Sequence, residues 1–346
     1  MRQLKVALLA YGMSGKVFHA PFLELHPGFE LAGAWERSKK LINADFPSVK
    51  SYKSLADLLD DDCDLVIVNT PVDTHFEYAK AALIAGKHVL VEKAFTTTSA
   101  EAEELRDLAF SQNRVLSIFH NRRWDSDFRT VEDMCRKNVL GNIIEAEIRF
   151  ERFRPELSAK RHKEMAAPGA GILMDLGPHI IDQALCLFGF PDEISADIRT
   201  TRYMSVVDDW FDLTLFYPKF RVRLKAGFFA REPLPAYTLY GEKGSFLKSR
   251  ADVQEDDLKA GHKPMPSDWG IEPESHAGRL YTEIEGVIVR EKVASLPGNY
   301  YTFFDKLYHA IINDTPPPVT SDDGLAVMRI IEGAIASNEQ KKRITL

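Results

Sequence analysis

The stretch Leu4–Phe18, LKVALLAYGMSGKVF, constrains this chain more than any other. Leu4 to Ala10 is a short apolar run interrupted only by Lys5, the pattern of a strand buried on both faces of a parallel sheet. Gly12 and Gly15 follow at once, and Lys16–Leu25 predicts a helix. A strand, a tight glycine turn and a helix start leave backbone N–H groups and the positive helix end facing one point. That arrangement suits a dinucleotide pyrophosphate. Against the fingerprint G-x-G-x-x-G the chain reads Ala10-Tyr11-Gly12-Met13-Ser14-Gly15. Ala10 takes the first glycine position, Gly12 leaves room for the pyrophosphate, and Gly15 lets the helix pack closely on the strand. A Walker A loop is excluded, because Val17 follows Lys16 and no glycine stands five residues before Gly15.

A second strand, Phe29–Trp35, ends at Glu36, 21 residues past Gly15. A carboxylate there can accept from the ribose hydroxyls of an adenosine. Arg37 and Ser38 come next, and an arginine with a serine can instead hold a 2′-phosphate. Both signals are present, and the expectation leans slightly to NADP(H) over NAD(H).

Short apolar strands then alternate with helices having one apolar face. Strands are expected at Cys63–Asn69, His88–Glu92 and Val115–Phe119, with helices around Ser54–Leu59, Thr74–Ala85 and Thr98–Ser111. This alternation predicts a doubly wound parallel sheet whose ligands lie at the strand ends. Those ends add Asn69, Thr70, Glu92 and Lys93, and His75 opens the helix after the third strand. The expected cofactor set is therefore Ala10, Gly12, Met13, Ser14, Gly15, Glu36, Arg37, Ser38, Asn69, Thr70, His75, Glu92 and Lys93. After the fifth strand comes His120-Asn121-Arg122-Arg123-Trp124-Asp125. Asn121, Arg122 and Trp124 are candidate substrate contacts; carboxylate pairs holding the domain junction are the other role open to the arginines, and packing to Trp124.

A helix at about Asp127–Lys137 marks a change of period. Ile143–Phe153, Ile194–Thr201, Trp210–Tyr217 and Phe220–Phe229 alternate apolar and polar residues, with shorter strands at Tyr237–Tyr240 and Ser245–Lys248. Alternation predicts a largely antiparallel sheet with one buried face, whose other face a second subunit can cover. Asp252–Val293 reads as loops with short strands, and Tyr301–Asn313 and Asp323–Glu339 as closing helices. The predicted architecture is α/β: residues 1–122 form an NAD(P)-binding domain of Rossmann type. Residues 123–346 form an α+β domain for substrate and oligomerisation, with a terminal helix packing back on the first.

With 346 residues, 45% hydrophobic and 27% charged, the chain has the composition of a soluble globular protein. A formal net charge of −7 gives no support to nucleic-acid binding. No run is apolar enough to span a bilayer, and no N-terminal signal segment is visible. Cys63, Cys135 and Cys186 form no metal or redox motif and are expected to be buried reduced thiols in a cytoplasmic protein.

The other informative stretch is Gly169–Phe188, GAGILMDLGPHIIDQALCLF. If helical from about Asp175, it places Asp175, His179 and Asp182 on one face at i, i+4 and i+7. Asp175 can then fix the imidazole tautomer of His179, leaving its other nitrogen for a substrate hydroxyl proton. Asp182 has cap, orienting and surface roles open to it. A metal site lacks a third convincing ligand and H-E-x-x-H is absent, so none is expected. Lys93, at a strand end, can hold a substrate oxygen as charge develops on it.

AYGMSG at Ala10–Gly15, EKAF at Glu92–Phe95 and DLGPHIID at Asp175–Asp182 together resemble the Gfo/Idh/MocA oxidoreductase family. HNRRWDSDF at His120–Phe128 and RFRPE at Arg152–Glu156 are similar to its scyllo-inositol dehydrogenase-like branch. The resemblance covers essentially the whole chain. It implies a dimer or higher homo-oligomer and hydride transfer between nicotinamide and a secondary hydroxyl or ketone of a cyclic polyol or sugar. It also implies that His179 is the catalytic histidine, with Lys93 and Asp175 as its catalytic partners. Two departures stand out: Ala10 replaces the first glycine, and Ala94 stands where the family usually has proline, which leaves the Lys93 backbone less constrained. Two other functions remain open: a hydrolase or lyase using a retained NAD redox cycle, and a non-catalytic NAD(P)-binding regulator.

Overall fold

The computed structural model describes residues 2–36, 40–158, 164–267 and 269–346. The chain divides into two compact units. One comprises Met1–Asn121, Val253–Trp269 and Asn299–Leu325; the other comprises Arg122–Asp252, Gly270–Gly298 and Ala326–Leu346.

The chain begins β1 (Leu4–Leu8), α1 (Ala20–Leu25), β2 (Phe29–Trp35), α2 (Ile42–Asp45), β3 (Lys50–Tyr52) and α3 (Leu55–Leu59). It continues β4 (Leu65–Val68), α4 (His75–Ile84), β5 (His88–Val91), α5 (Ser99–Ser111) and β6 (Leu116–Ile118). Then come α6 (Ser126–Arg136), β7 (Ile143–Glu151), α7 (Ile172–Asp175), α8 (Gly177–Phe188), β8 (Glu193–Arg199) and β9 (Trp210–Phe216). Next are β10 (Arg221–Gly227), β11 (Tyr237–Gly241), β12 (Gly244–Lys248), α9 (Gln254–Lys259), β13 (Gly278–Ile284) and β14 (Val287–Val293). The chain closes with α10 (Tyr301–Asn313), α11 (Ser321–Gln340) and β15 (Ile344–Thr345).

In the first unit six parallel strands lie in the order β3-β2-β1-β4-β5-β6. All four residues of β4 are buried, as a central strand covered on both faces requires. The strand order reverses between β1 and β4, which places a ligand crevice beyond their carboxyl ends. α5 begins with a capping box in which Thr98 and Glu101 satisfy each other's backbone N–H groups. The helix expected at Lys16–Leu25 is broken into a π-helical turn, Gly15–His19, and α1. Pro21 explains the break: in the first turn of α1 it has no N–H to continue the ladder from the preceding turn. Phe22 of α1 stacks on Phe304 of α10, centroids 5.0 Å apart, so α10 is part of this unit's core.

The second unit holds a nine-stranded sheet, β14-β13-β12-β11-β7-β10-β9-β8-β15. Only the β7–β10 pair is parallel; the other neighbours are antiparallel. Ala146, Ile148 and Phe150 of β7 and Val222 and Leu224 of β10 face the core, where α7 and α8 pack. The alternate residues Glu145, Glu147, Arg221 and Arg223 face the other way and are half-buried or exposed. Where loops with short strands were expected, β13 and β14, seven residues each, form a hairpin turning at Glu285 and Gly286, both with positive φ. No β14 residue is buried, so the apolar alternation that announces a strand is missing there.

Among the described residues, no helix is long and apolar enough to cross a membrane. None of the three cysteines forms a disulfide; Cys63 is buried as expected, whereas Cys186 is exposed.

Candidate functional site

The crevice of the first unit is built by backbone groups that one side chain holds in place. Asn69, just past β4, donates through Nδ2 to the Ala10 carbonyl at 2.7 Å and accepts the Ala10 N–H through Oδ1 at 3.0 Å. The turn after β1 is thereby locked to the end of β4. At Gly15 an added Cβ would stand 2.7 Å from the Ala10 carbonyl oxygen and 3.0 Å from the Asn69 amide nitrogen. Only glycine permits that approach. An added Cβ at Gly12 would meet nothing within 4 Å, and neighbouring Met13 is exposed. A cavity of about 300 Å³ opens beside this turn, lined by Ala10, Tyr11, Gly12, Trp35, Glu36 and Thr70 among others. An open glycine turn beside an aromatic-walled cavity fits a dinucleotide.

Glu36 lines that cavity, but its carboxylate is already engaged. Its two oxygens accept from the backbone N–H groups of Leu41 and Ile42 at 3.0 and 3.1 Å, at the start of α2. At the other end of α2, Asp45 accepts from the Tyr11 hydroxyl at 2.9 Å and pairs with Lys16 at 2.8 Å. Lys16 holds the Asp45 carboxyl below its ordinary range. Arg37 and Ser38, expected at the 2′-position, lie outside the described residues.

The ends of β4 and β5 carry the rest of the expected set. Lys93 is half-buried, and its peptide bond to Ala94 is cis. Glu92, expected to touch the cofactor, instead accepts from the Ser14 hydroxyl and from His19 Nε2 at 2.9 Å. Burial pushes the Glu92 pKa up, but these donors and the Lys93 charge outweigh it and hold the carboxyl below the usual glutamate range. The Ser14 hydroxyl is thus turned toward Glu92. His75 is fully buried: Nδ1 lies 2.8 Å from the Ala94 carbonyl oxygen and Nε2 2.9 Å from that of Thr70. It holds two strand-end segments together. Thr70 lines the cavity, its hydroxyl 2.7 Å from that of Thr74. Sequence alone missed His19, whose only signal was its place four residues past Gly15 on the predicted helix.

In the second unit the single helix expected from Asp175 is two. Asp175 ends α7, Leu176 interrupts, and α8 starts at Gly177 with Pro178 in its first turn. Asp175, His179 and Asp182 therefore do not share one continuous helical face. α7 is set by Asp208, which accepts the Ile172 N–H through its backbone oxygen at 2.9 Å and the Leu173 N–H through its carboxylate at 2.8 Å. Gly171, with φ of 91°, leaves room for that carboxylate. Burial pushes the Asp208 carboxyl up. Asp182 is buried and takes a two-point hydrogen bond from Arg123, at 2.6 and 2.9 Å. Arg122 donates to buried Asp125 at 3.1 Å. Asn121 and Trp124 are both buried.

His179, 7% exposed, lies 6.3 Å from the ring of Phe150, centroid to centroid. Three guanidinium groups surround the same ring: Arg122 at 5.2 Å, Arg152 at 4.6 Å and Arg250 at 4.2 Å. Stacking on an aromatic face holds planar cations in a fixed orientation. Phe150 and Arg250 were absent from the expected site; Arg250 follows a strand end with no motif around it. Lys93 belongs to the first unit and Asp175 and His179 to the second. No group of three or more residues suited to a metal occurs among the described residues.

Residues 4–120 match the family described as oxidoreductase family, NAD-binding Rossmann fold, and residues 133–346 match its C-terminal alpha/beta domain. The Bacillus subtilis protein IolW, a scyllo-inositol 2-dehydrogenase (NADP(+)), is 37% identical over 99% of this chain and 96% of its own. The Escherichia coli oxidoreductase YdgJ is 39% identical over 99% of each chain. Among solved structures, the yvaA protein of Bacillus subtilis superposes with a TM-score of 0.94 at 36% identity, covering 99% of this chain and 98% of that one. An oxidoreductase from Bacillus cereus gives 0.92 at 29%, covering 99% of both. The likeness runs through both units, and the protein belongs to the Gfo/Idh/MocA family of oxidoreductases, with an NAD-binding Rossmann domain.

Proposed function

We propose that this enzyme is an NAD(P)-dependent dehydrogenase or reductase acting on a secondary hydroxyl or ketone of a cyclic polyol or sugar, an inositol among them. The observation that carries this is the likeness to the scyllo-inositol dehydrogenase IolW, which spans nearly the full length of both chains. A bound nicotinamide would supply the hydride acceptor. His179 takes the hydroxyl proton as the carbon–hydrogen bond breaks and the carbonyl forms, and returns it in the reducing direction. Lys93 donates to the same oxygen and stabilises the charge that develops there, and Asp175 assists in orienting these groups.

The dinucleotide is held by the Ala10–Gly15 turn, with Asn69 and Thr70 at its edge. NADP(H) is favoured over NAD(H), because the Glu36 carboxylate caps α2 through both oxygens and is poorly disposed to take a ribose diol. The chain works as a cytoplasmic homodimer whose nine-stranded sheets face each other through their charged side, where Arg223 pairs with Asp212 and Glu147. Sedimentation equilibrium checks the dimer.

The deciding experiment is a fluorescence titration of the purified enzyme with NADPH and with NADH, followed by turnover with scyllo-inositol and NADP⁺. Tighter binding of NADPH and measurable oxidation are expected. Binding of neither nucleotide overturns the dehydrogenase; NADH preference overturns the NADP assignment; binding without turnover on any inositol or sugar overturns the substrate class.

A further inference from the structure

Glu92 stands between the two halves of the proposed chemistry in the first unit. Its Oε1 receives both the Ser14 hydroxyl and His19 Nε2, and its Oε2 lies 3.3 Å from the backbone N–H of Lys93. Ser14 is part of the glycine turn, 78 residues away in sequence. β1, which precedes that turn, and β5, which precedes Glu92, are not neighbours in the sheet, because β4 lies between them. The ladder of backbone hydrogen bonds therefore does not join turn and lysine directly; one carboxylate does.

The donors on that carboxylate are themselves fixed. His19 is fully buried, its ring 4.6 Å from that of Phe119 and 6.2 Å from that of Phe304. Its Nδ1 is buried and has no hydrogen-bond partner among the described residues. A carboxylate only accepts, so the nitrogen that faces it, Nε2, carries the hydrogen, and the ring's polar contact is with Glu92. From the other side of Lys93, His75 holds the Ala94 carbonyl. Each residue flanking the lysine is thus tied by a buried histidine.

We propose that Glu92 is a positioning residue that couples the glycine turn to Lys93: through Ser14 and His19, a dinucleotide seated on the turn fixes the segment that carries the lysine. This rests on the turn holding the dinucleotide and on Lys93 serving the reaction. A buried polar link of this kind transmits position because any other arrangement leaves a donor or the carboxylate unsatisfied.

Amide hydrogen exchange tests the coupling without turnover. Wild type, Glu92→Ala and Glu92→Gln are compared with and without saturating NADPH. In wild type, NADPH should slow exchange at residues 10–16 and also at 92–97. In Glu92→Ala it should slow 10–16 alone, and Glu92→Gln, which keeps an acceptor for Ser14 and His19, should regain protection at 92–97. Protection at 92–97 that survives Glu92→Ala, or never occurs in wild type, overturns the coupling. Faster exchange throughout the first unit in Glu92→Ala assigns Glu92 a merely structural role and overturns it as well. Absence of any NADPH effect at 10–16 in wild type sinks the dinucleotide assignment on which the coupling rests. In turnover with scyllo-inositol, Glu92→Ala should lower kcat about 10- to 100-fold, with KM for NADP⁺ within about threefold of wild type. If wild type does not oxidise scyllo-inositol, the substrate assignment fails while the exchange result still judges the coupling.

Discussion

The two units orient their polar side chains by different means. In the first, three of the candidate groups are tied by short hydrogen bonds to backbone or to a buried partner: Asn69 to Ala10, Glu92 to Ser14 and His19, and His75 to the carbonyls of Thr70 and Ala94. In the second, three guanidinium groups and His179 gather around the ring of Phe150. A parallel sheet covered on both faces ends in crowded turns where every amide needs a partner, so side chains there serve the backbone. The second sheet presents a single aromatic side chain to several long cations, whose heads lie within cation–π distance of it instead. The difference teaches that loosening the Asn69–Ala10 lock of the first unit should act on stability and nucleotide binding, and substitutions around Phe150 in the second on turnover.

The sharpest separation is expected from His179→Ala. It should cut kcat about 10²–10⁴-fold with NADPH affinity unchanged; single-turnover kinetics beside the fluorescence titration measure both. A variant of wild-type turnover removes His179 from the chemistry and the contrast with it.

The first unit should show a pH dependence of its own. His88, at the start of β5, accepts the Val115 N–H through Nδ1 at 3.0 Å. Burial, helped by the Arg114 charge, lowers its pKa to about 4. A histidine with a depressed folded-state pKa stabilises fully above its unfolded value near 6.5. That stability is lost as pH falls from about 6.5 toward 4 and amounts to about 2–3 kcal/mol at most. Thermal unfolding across that range should show His88→Gln losing most of the slope seen in wild type; equal slopes refute it.

Asn69→Ala should leave the N–H and carbonyl of Ala10 without their partner and cost ~1–3 kcal/mol. Nucleotide affinity should fall with stability, because the turn loses its lock. Urea unfolding together with NADPH titration checks this, and unchanged stability and NADPH affinity would contradict the role of Asn69 as the lock of the turn. The smallest effect is expected from Arg250→Met, which removes one cation from Phe150 and Tyr237 at a cost of about 0.5–2 kcal/mol. Its readout is a larger proportional change in kcat than in NADPH affinity.

Patterns of short range were legible in the chain. β2 and α10 fall on the residues that periodicity indicated, and the alternation of strands and helices through Phe119 set the parallel sheet. The helix expected from about Asp175 forms from Gly177, and the separate turn α7 before it was not legible because Asp208, which sets it, is more than thirty residues away in sequence. The short strands expected within Asp252–Val293 could not be located as the β13–β14 hairpin, because no residue of its outer strand is buried.

The sequence by itself determined the glycine turn after a buried strand, the alternation that follows it, and the family motifs carrying Lys93, Asp175 and His179. The turn and the alternation depend on neighbours within one turn or one strand, where spacing decides which side chains share a face, and the motifs were legible through their resemblance to the family's own. Only the tertiary structure decided what those side chains touch: that Glu36 caps α2, that His75 is buried between two strand ends, and that Glu92 meets Ser14 and His19. Glu92 reaches those two partners across 78 and 73 residues, distances that no periodicity encodes. Packing the parallel sheet brings such groups together, and the cost of leaving a buried polar atom unpaired then selects their partners.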